Sequence, residues 1–144
     1  MGKLFDEQHI EIGVKASDWK DAIRKSGEIL LGIGSIDETY IDLMIESVEE
    51  KGPYIVIAPK FALAHAAPGP YIRKDDISII TLDKPVDFHS DNGEVEVVLC
   101  LASKDGNSHI DYLQKVANVL SDESVIDRIA NAKNKQEIID LFTV

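Results

Sequence analysis

His65 is the residue of this chain best suited to act as an accessible nucleophile. It lies in Ala62-Leu63-Ala64-His65-Ala66-Ala67, between an apolar run ending at Ala58 and a Pro-Gly-Pro turn at residues 68–70. An imidazole with an unperturbed pKa of about 6.5 is largely neutral and nucleophilic near pH 7. Small neighbours leave the ring uncrowded, and the prolines stiffen the loop that presents it. This pattern predicts a histidine that another protein can reach, although a lone histidine beside an apolar segment is more often structural.

His109 is the second candidate. It follows Gly106-Asn107-Ser108 and lies near the start of a predicted helix, where unpaired backbone N–H groups and the helix dipole favour an anion. Both histidines follow strand-like segments, so they would share one anion site if the fold brings their loops together. The alternative is that Asn107 or Ser108 is simply the N-cap and His109 a helix-start residue.

Other reactive residues give weaker indications. His9 has no polar companion in the sequence pattern and is interpreted as a surface or structural residue. His89 and Asp91 form a His-x-Asp pair without further ligands at suitable spacing, so no metal site is expected. Cys100 lies in a predicted buried strand and is interpreted as a core thiol. The sequence has no G-x-S-x-G elbow and no nucleotide-binding glycine pattern, so direct use of ATP is not expected.

Length and charge limit the class of protein. A chain of 144 residues with 44% hydrophobic residues can bury a core, and we expect one domain over residues 1–144. A net charge of −11 repels phosphate backbones, so no nucleic-acid partner is expected. One cysteine excludes an internal disulfide and fits a reducing compartment. The sequence shows no signal peptide and no apolar run of membrane-spanning length, so we expect a cytoplasmic protein without direct membrane insertion.

The elements that must position these residues follow from hydrophobic periodicity. Alternation predicts a strand over residues 8–15, and helical spacing predicts one helix capped by Ser17 and another that opens with capping-box spacing at Ser35 and ends at residues 51–53. Farther on we expect strands over 54–58, 77–82 and 94–102, a helical turn at 61–64, a short piece at 86–88 and a turn at 90–93. Three helices should follow, beginning near 109, at 121 or 122, and at 136. This order predicts an α/β (α+β) fold with a mixed β-sheet.

Several segments, taken together, carry a family resemblance: Ala16-Ser17-Asp18-Trp19, Ala22-Ile23-Arg24-Lys25, Gly52-Pro53-Tyr54-Ile55-Val56-Ile57-Ala58-Pro59, Ala62-Leu63-Ala64-His65-Ala66, Leu82-Asp83-Lys84-Pro85-Val86-Asp87-Phe88, and Asn107-Ser108-His109 leading to Leu113-Gln114. With them the chain resembles the enzyme IIA component of the bacterial phosphoenolpyruvate-dependent sugar phosphotransferase system. The likeness is to the mannitol–fructose superfamily, nearest to its ascorbate branch, and runs from about residue 4 to the C-terminus.

The resemblance implies a single-domain mixed sheet flanked by helices on both sides. His65 falls on the family's phosphoryl-accepting histidine, and His109 on its second active-site histidine, which supports the phosphoryl group. The implied protein is a phosphotransferase that accepts a phosphoryl group from phospho-HPr and passes it to a cysteine of a IIB component, which works with a membrane IIC component. No cofactor and no metal are implied, and the sugar would be of the ascorbate or pentitol kind.

The chain departs from the family pattern beside His65. Relatives usually read Pro-His-Ala-Arg-Pro, where this chain has Ala64-His65-Ala66-Ala67-Pro68. The missing arginine removes a cation that could hold phosphate, and Arg73 and Lys74 are the candidates to replace it. Loss of the proline is expected to loosen the loop before His65. The apolar residues around the histidine are expected to form the docking patch: Phe61, Leu63, Ala66, Ala67 and Pro68.

Two other functions stay open at this point. A IIA-like regulatory or binding module would be phosphorylated or dock a partner without onward transfer. An unrelated hydrolase would turn over an ester without phosphate. The oligomeric state is also open, a homodimer included.

Overall fold

The computed structural model describes residues 6–104, 114, 118 and 122–142. A short 3-10 turn at Glu7–His9 precedes the first strand. The helices and strands of the described residues are, in chain order, β1 (Ile10–Val14), α1 (Trp19–Ile33), α2 (Glu38–Lys51), β2 (Lys60–Ala64), β3 (Asp76–Val86), β4 (Val95–Ala102), α3 (Glu123–Ala130) and α4 (Lys135–Phe142). The strands form one sheet in the order β1-β3-β4-β2. β3 and β4 are antiparallel, whereas β1 runs parallel to β3 and β2 parallel to β4.

Helices cover both faces of this sheet. One face packs against α1 and α2 through a core that includes Ala62, Ala64, Val98, Cys100, Ile23, Leu30, Ile41 and Met44. The other face packs against α3 and α4 through Phe61, Leu63, Val97, Leu99, Ile126, Ile129 and Ile138. Successive residues of β2 therefore enter opposite cores, as the two-residue period of a strand requires. The predicted fold, a mixed β-sheet flanked by helices on both sides, is confirmed.

The first two helices begin at aspartates rather than at the predicted serines. Asp18 caps α1, and its carboxylate accepts the N–H of Asp21 at 2.9 Å. Asp37 caps α2 and accepts the N–H of Thr39 at 3.0 Å. Ser17 and Ser35 were equally good caps by residue type, so the predictions of both helices were correct but their caps were wrong. The buried hydroxyl of Ser35 instead donates to Asp76.

The second predicted strand lies elsewhere in the chain. Residues 54–58 form no strand. The strand that follows α2 is instead β2, at Lys60–Ala64, where a helical turn was expected. Phe61 to Ala64 are buried and pair in register with Val97 to Cys100 of β4. The neighbouring segment covers the outer edge of β2, because the N–H of Leu63 donates to the carbonyl of Ile55 at 2.8 Å. The expected short piece at residues 86–88 also changes, because β3 continues through Val86 and pairs it with Val95.

The strand directions bring several chain segments to one edge of the sheet. β2 and β4 are parallel, with Ala64 opposite Cys100, so both end at the same edge. β3 begins there, with Asp76 opposite Ala102. The loop that starts at His65 therefore lies beside the end of β4 and the start of β3. Among the described residues, no helix is both long and apolar enough to cross a membrane.

Candidate functional site

The ring of His65 is held by the main chain of the strand that precedes it. His65 directly follows β2 and is partly buried, and its Nδ1 lies 2.9 Å from the carbonyl oxygen of Leu63. A carbonyl oxygen can only accept, so this contact requires the proton of the neutral ring on Nδ1. The lone pair then lies on Nε2. Such a ring has one nitrogen fixed by the protein and the other in the nucleophilic form.

Apolar surface lies beside this ring, but it differs from the predicted patch. The ring of Tyr54 meets that of His65 edge-on, with centroids 5.6 Å apart at 84°. Tyr54 is 41% exposed and Ile57 is 54% exposed, the two most exposed large hydrophobic residues of the described chain. Of the residues expected in the docking patch, Phe61, Leu63 and Ala66 are buried, whereas Ala67 and Pro68 are exposed. The expectation was wrong for the buried three, because β2 turns Phe61 and Leu63 into the core beneath α3 and α4, and Ala66 packs in the core on the opposite face.

Two tyrosines hold the main chain that follows His65. The buried hydroxyl of Tyr40 donates to the carbonyl of Leu101 at 2.7 Å and accepts the N–H of Ala66 at 3.0 Å. Burial raises the pKa of Tyr40 far above that of a free phenol, so this hydroxyl stays protonated. Tyr71 donates its hydroxyl to the carbonyl of Ala67 at 2.7 Å, and its ring stacks on that of Tyr40 with centroids 5.6 Å apart.

Sequence reasoning missed both tyrosines. Tyr40 lies within the predicted second helix, and nothing in the helical pattern shows that its hydroxyl reaches Ala66 and Leu101. Tyr71 follows the Pro-Gly-Pro turn and carried only a general turn signal. Gly69 offers one usable hint: a side chain at this position would collide with the ring of Tyr71, at 2.5 Å. A glycine two residues before an aromatic residue is therefore consistent with the aromatic ring folding back over the turn.

The other predicted site residues are His109, Arg73 and Lys74. His109 lies outside the described residues. Arg73 and Lys74 donate their main-chain N–H groups to the carbonyl of Ser35, at 2.8 and 3.3 Å, and have exposed side chains. These bonds fasten the far end of the loop to the connection between α1 and α2.

The other histidines and the cysteine are placed differently from His65. His9 is buried, and its two ring nitrogens lie 2.9 Å from a carboxylate oxygen of Asp6 and 3.0 Å from one of Asp76. It is structural, as predicted, but it has polar companions that the pattern did not show. His89 is exposed. Cys100 is buried, and that burial raises the pKa of its thiol to about 12, which makes it the expected core residue.

No group of His, Cys, Asp and Glu among the described residues has the arrangement of a metal site. The contact of Nδ1 with the Leu63 carbonyl gives His65 the chemistry of an imidazole with a fixed tautomer. The ring contacts the exposed ring of Tyr54 and lies at a sheet edge. That arrangement suits transfer of an activated group between two proteins.

The comparisons with known proteins agree with this geometry. Residues 3–144 match the family described as phosphoenolpyruvate-dependent sugar phosphotransferase system, EIIA 2. The chain belongs to this enzyme IIA family. Enzyme IIA components are phosphotransferases of sugar uptake in general, so the predicted family and its class of activity are confirmed.

Individual members of the family show how far the likeness extends. The chain is 31% identical to the ascorbate-specific PTS system EIIA component of Escherichia coli (strain K12), over 96% of this chain and 92% of that protein. The mannitol-specific cryptic phosphotransferase enzyme IIA of Escherichia coli superposes with a TM-score of 0.87 at 29% identity, covering 96% and 95% of the two chains. The mannitol enzyme IIA of Escherichia coli, solved with phosphorylated enzyme IIB, superposes with a TM-score of 0.83 at 24% identity over 96% of each chain, which shows a shared fold.

Proposed function

We propose that this enzyme IIA is a phosphocarrier that accepts a phosphoryl group on Nε2 of His65 and passes it to a IIB component. The observation that carries the proposal is the 2.9 Å contact of Nδ1 with the Leu63 carbonyl, which supports a protonated Nδ1 and a nucleophilic Nε2. The family relationship supports a role in sugar uptake. One phosphocarrier domain over residues 1–144 is part of the proposal.

The first transfer takes its phosphoryl group from phospho-HPr. The phosphorus–nitrogen bond of the donor histidine breaks, and its electron pair stays on that donor nitrogen. A bond forms between phosphorus and Nε2 of His65, whose lone pair makes the attack. Such a reaction depends on in-line positioning and on support for the charge of the transferred group. The donor is already activated, so no nucleotide takes part.

In the second transfer, His65 is the phosphoryl donor and the IIB component is the acceptor. A cysteine thiolate of the IIB component attacks phosphorus, a sulfur–phosphorus bond forms, and the bond to Nε2 breaks with its electron pair returning to the ring. The Nδ1–H bond to Leu63 persists through both steps and keeps the ring from turning. We place His109 beside the phosphoryl oxygens as a donor, on the basis of the family resemblance.

The choice of the transported sugar is made mostly by the membrane IIC component that would work with the IIB partner. The 31% identity to an ascorbate-specific relative favours ascorbate or a related acidic or pentitol-like sugar. A cytoplasmic location follows from the same role, because both exchange partners of an enzyme IIA must reach His65.

The proposal is tested by phosphorylation with phosphoenolpyruvate, enzyme I and HPr, followed by intact mass and phosphorus NMR. Wild type should gain one acid-labile phosphohistidine, and His65→Ala should gain none. His89→Ala is the matched control, because it also removes a histidine but from an exposed turn, and it should behave as wild type. A His65→Ala protein that still accepts the group would overturn the assignment.

Onward transfer separates the carrier from its alternative. Purified phosphoprotein is mixed with the IIB components of an ascorbate and a mannitol system, and the phosphocysteine is followed by phosphorus NMR. Rapid transfer to the ascorbate IIB would support both the carrier and the branch. A phosphoprotein that keeps its phosphate with every IIB would instead indicate a regulatory module. His109→Gln should slow transfer more than it lowers stability, and an unchanged rate would reduce His109 to a helix-start residue.

A further inference from the structure

The main chain on both sides of His65 is anchored by contacts outside its own loop. On the N-terminal side, Leu63 pairs with Leu99 of β4, and its N–H donates to Ile55. On the C-terminal side, Ala66 donates its N–H to the Tyr40 hydroxyl at 3.0 Å. His65 therefore lies between a residue fixed by the sheet and a residue fixed by α2.

The residues around His65 contribute little to this anchoring themselves. Ala64, Ala66 and Ala67 have side chains of one carbon, and the proline usual before the histidine is absent. A chain of small residues leaving a strand has high conformational freedom unless its polar groups are bound. The tyrosine hydroxyls supply those bonds, so the loosening expected from the sequence is opposed by contacts that come from distant elements.

The hydroxyl of Tyr40 both donates and accepts a hydrogen bond. It has one hydrogen, which it donates to Leu101 at 2.7 Å, and its oxygen then accepts the N–H of Ala66. Leu101 is in β4, one residue beyond Cys100, which is opposite Ala64. A single buried atom thus joins α2, the end of β4 and the residue that follows His65.

Tyr71 reinforces the same segment. Its hydroxyl donates to the carbonyl of Ala67, and its ring is stacked on that of Tyr40 at an angle of 22°. The main chain of Asp37 donates to the carbonyl of Tyr71 at 2.9 Å, which ties Tyr71 to the cap of α2. Two consecutive residues after His65 are therefore held by two packed tyrosines.

We propose that Tyr40, supported by Tyr71, is a positioning residue for phosphoryl transfer at His65. Its hydroxyl fixes the main chain at Ala66, and this in turn holds the ring in the orientation that bonds Nδ1 to Leu63. Tyr40 is 1% exposed and cannot touch a docking partner. Its role therefore concerns the direction and tautomer of the imidazole and not the affinity for HPr. The inference rests on the proposed function, in which Nε2 is the attacking nitrogen.

The test compares Tyr40→Phe with wild type and with Thr81→Val. Thr81 is a matched control because its buried hydroxyl also accepts a main-chain N–H, that of Gly13 at 2.9 Å. It lies on β3 three residues beyond Ser78, the partner of Cys100, and so about 10 Å along the strand from the His65 edge. Both substitutions remove one buried hydroxyl and leave the remaining side chain in place.

The first readout is the nitrogen-15 spectrum of the neutral His65 ring in the unphosphorylated protein. Wild type and Thr81→Val should show a protonated Nδ1 and an unprotonated Nε2. Tyr40→Phe should show averaged shifts, because the ring exchanges between tautomers once Ala66 is released. A Tyr40→Phe spectrum identical to that of wild type would overturn the proposal. This readout needs no phosphate donor, so it decides the proposal even if the wild-type protein accepts no phosphoryl group.

The second readout is single-turnover transfer from phospho-HPr over a range of donor concentrations. Tyr40→Phe should lower the maximal rate roughly tenfold and leave the half-saturating concentration unchanged. Thr81→Val should change neither. A Tyr40→Phe protein with an unchanged maximal rate, or with weaker donor binding alone, would contradict a positioning role. Failure of the wild-type protein in this assay would instead count against the proposed function.

Tyr71→Phe keeps the proposal testable if Tyr40→Phe does not fold. It removes a half-buried hydroxyl, retains the stacked ring and should shift the tautomer and the maximal rate in the same direction by a few-fold. Hydrogen exchange in the wild-type protein adds an independent check. The Ala66 amide should exchange much more slowly than the amides of Ala67 and Gly69, and equal exchange would show that Tyr40 does not anchor the loop.

Discussion

His65 and His9 occupy the same edge of the sheet, yet their surroundings differ in kind. His65 follows β2, lies partly exposed, and places one ring nitrogen on a main-chain carbonyl. His9 precedes β1, is buried, and places its two nitrogens beside two carboxylates. A carbonyl selects a tautomer of the neutral ring, whereas carboxylates on both sides contact both ring nitrogens and hold the ring within the fold. Identical side chains at one sheet edge thus have different surroundings, which fit the proposed reaction at His65 and cohesion of the fold at His9.

The cluster around His9 joins three parts of the chain. Asp76 faces His9, accepts the Ser35 hydroxyl at 2.6 Å and accepts the N–H of Ile77 at 3.0 Å. Ser35 in turn accepts the main-chain N–H groups at the end of the His65 loop. His9 therefore contributes indirectly to holding the loop that begins at His65, through Asp76 and Ser35.

Among the substitutions that test the contrast between His9 and His65, Asp76→Ala should have the largest effect on stability. This change leaves His9 and the Ser35 hydroxyl without their buried partner and should lower the free energy of unfolding by about 3–5 kcal/mol. Urea denaturation followed by circular dichroism measures the loss. Asp87→Ala is the control, because Asp87 also faces a histidine but both side chains are exposed, and its effect should stay within about 1 kcal/mol. Equal losses in the two variants would contradict the assigned role of the His9 cluster.

Ser35→Ala should have an intermediate effect. It removes one hydroxyl donor from the Asp76 carboxylate and leaves the ring of His9 in place, which should cost about 1–3 kcal/mol of unfolding free energy. The same denaturation experiment applies. A loss as large as that of Asp76→Ala would mean that Ser35, and not His9, is the main partner of the carboxylate.

His65→Ala should lower stability less than Asp76→Ala or Ser35→Ala. It should nevertheless abolish phosphoryl acceptance. It removes one hydrogen bond to Leu63 at a partly exposed position, so the loss should be below about 1.5 kcal/mol. Denaturation of the same protein samples used for phosphorylation measures both properties together. A loss comparable to that of Asp76→Ala would show that His65 is also a structural residue, and the contrast between the two histidines would fail.

The smallest effect concerns the exposed side of the His9 cluster and depends on pH. Burial acts to raise the pKa of Asp6, but hydrogen bonds from His9 and Gln8 outweigh it and hold that pKa below 3.8. A carboxyl whose folded pKa is depressed stabilises the fold above its unfolded pKa, and this contribution is lost as the pH falls through the folded pKa. The stability difference between wild type and Asp6→Asn should therefore be constant near neutral pH and shrink below about 3.8. A difference that grows on acidification would reverse the sign of this interaction.

Local sequence patterns predicted most of the fold and singled out His65, on which the proposed function rests. Alternation in β1, the apolar run of β4 and the helical periodicity of α1 and α2 depend on nearby residues, and His65 was a candidate because of its small neighbours and the turn that follows it. β2 was misplaced because Phe61 to Ala64 are buried on both faces by partners more than 30 residues away, which leaves no alternation to detect. The tyrosine hydroxyls could not be predicted for the same reason, because Tyr40 binds Ala66 and Leu101, which are 26 and 61 residues away in the sequence.

The strand order has a consequence for how the molecule assembles. β3 and β4 are joined by a short connection and can form as a local hairpin, whereas β2 must find β4 across the whole of β3. Contacts between distant segments form more slowly because their loop-closure entropy must be overcome first. We therefore expect the hairpin to form early and β2 to dock on it later. On a growing ribosomal chain, the residues around His65 emerge before β4, and the His65 ring can reach its final geometry only after that strand has formed.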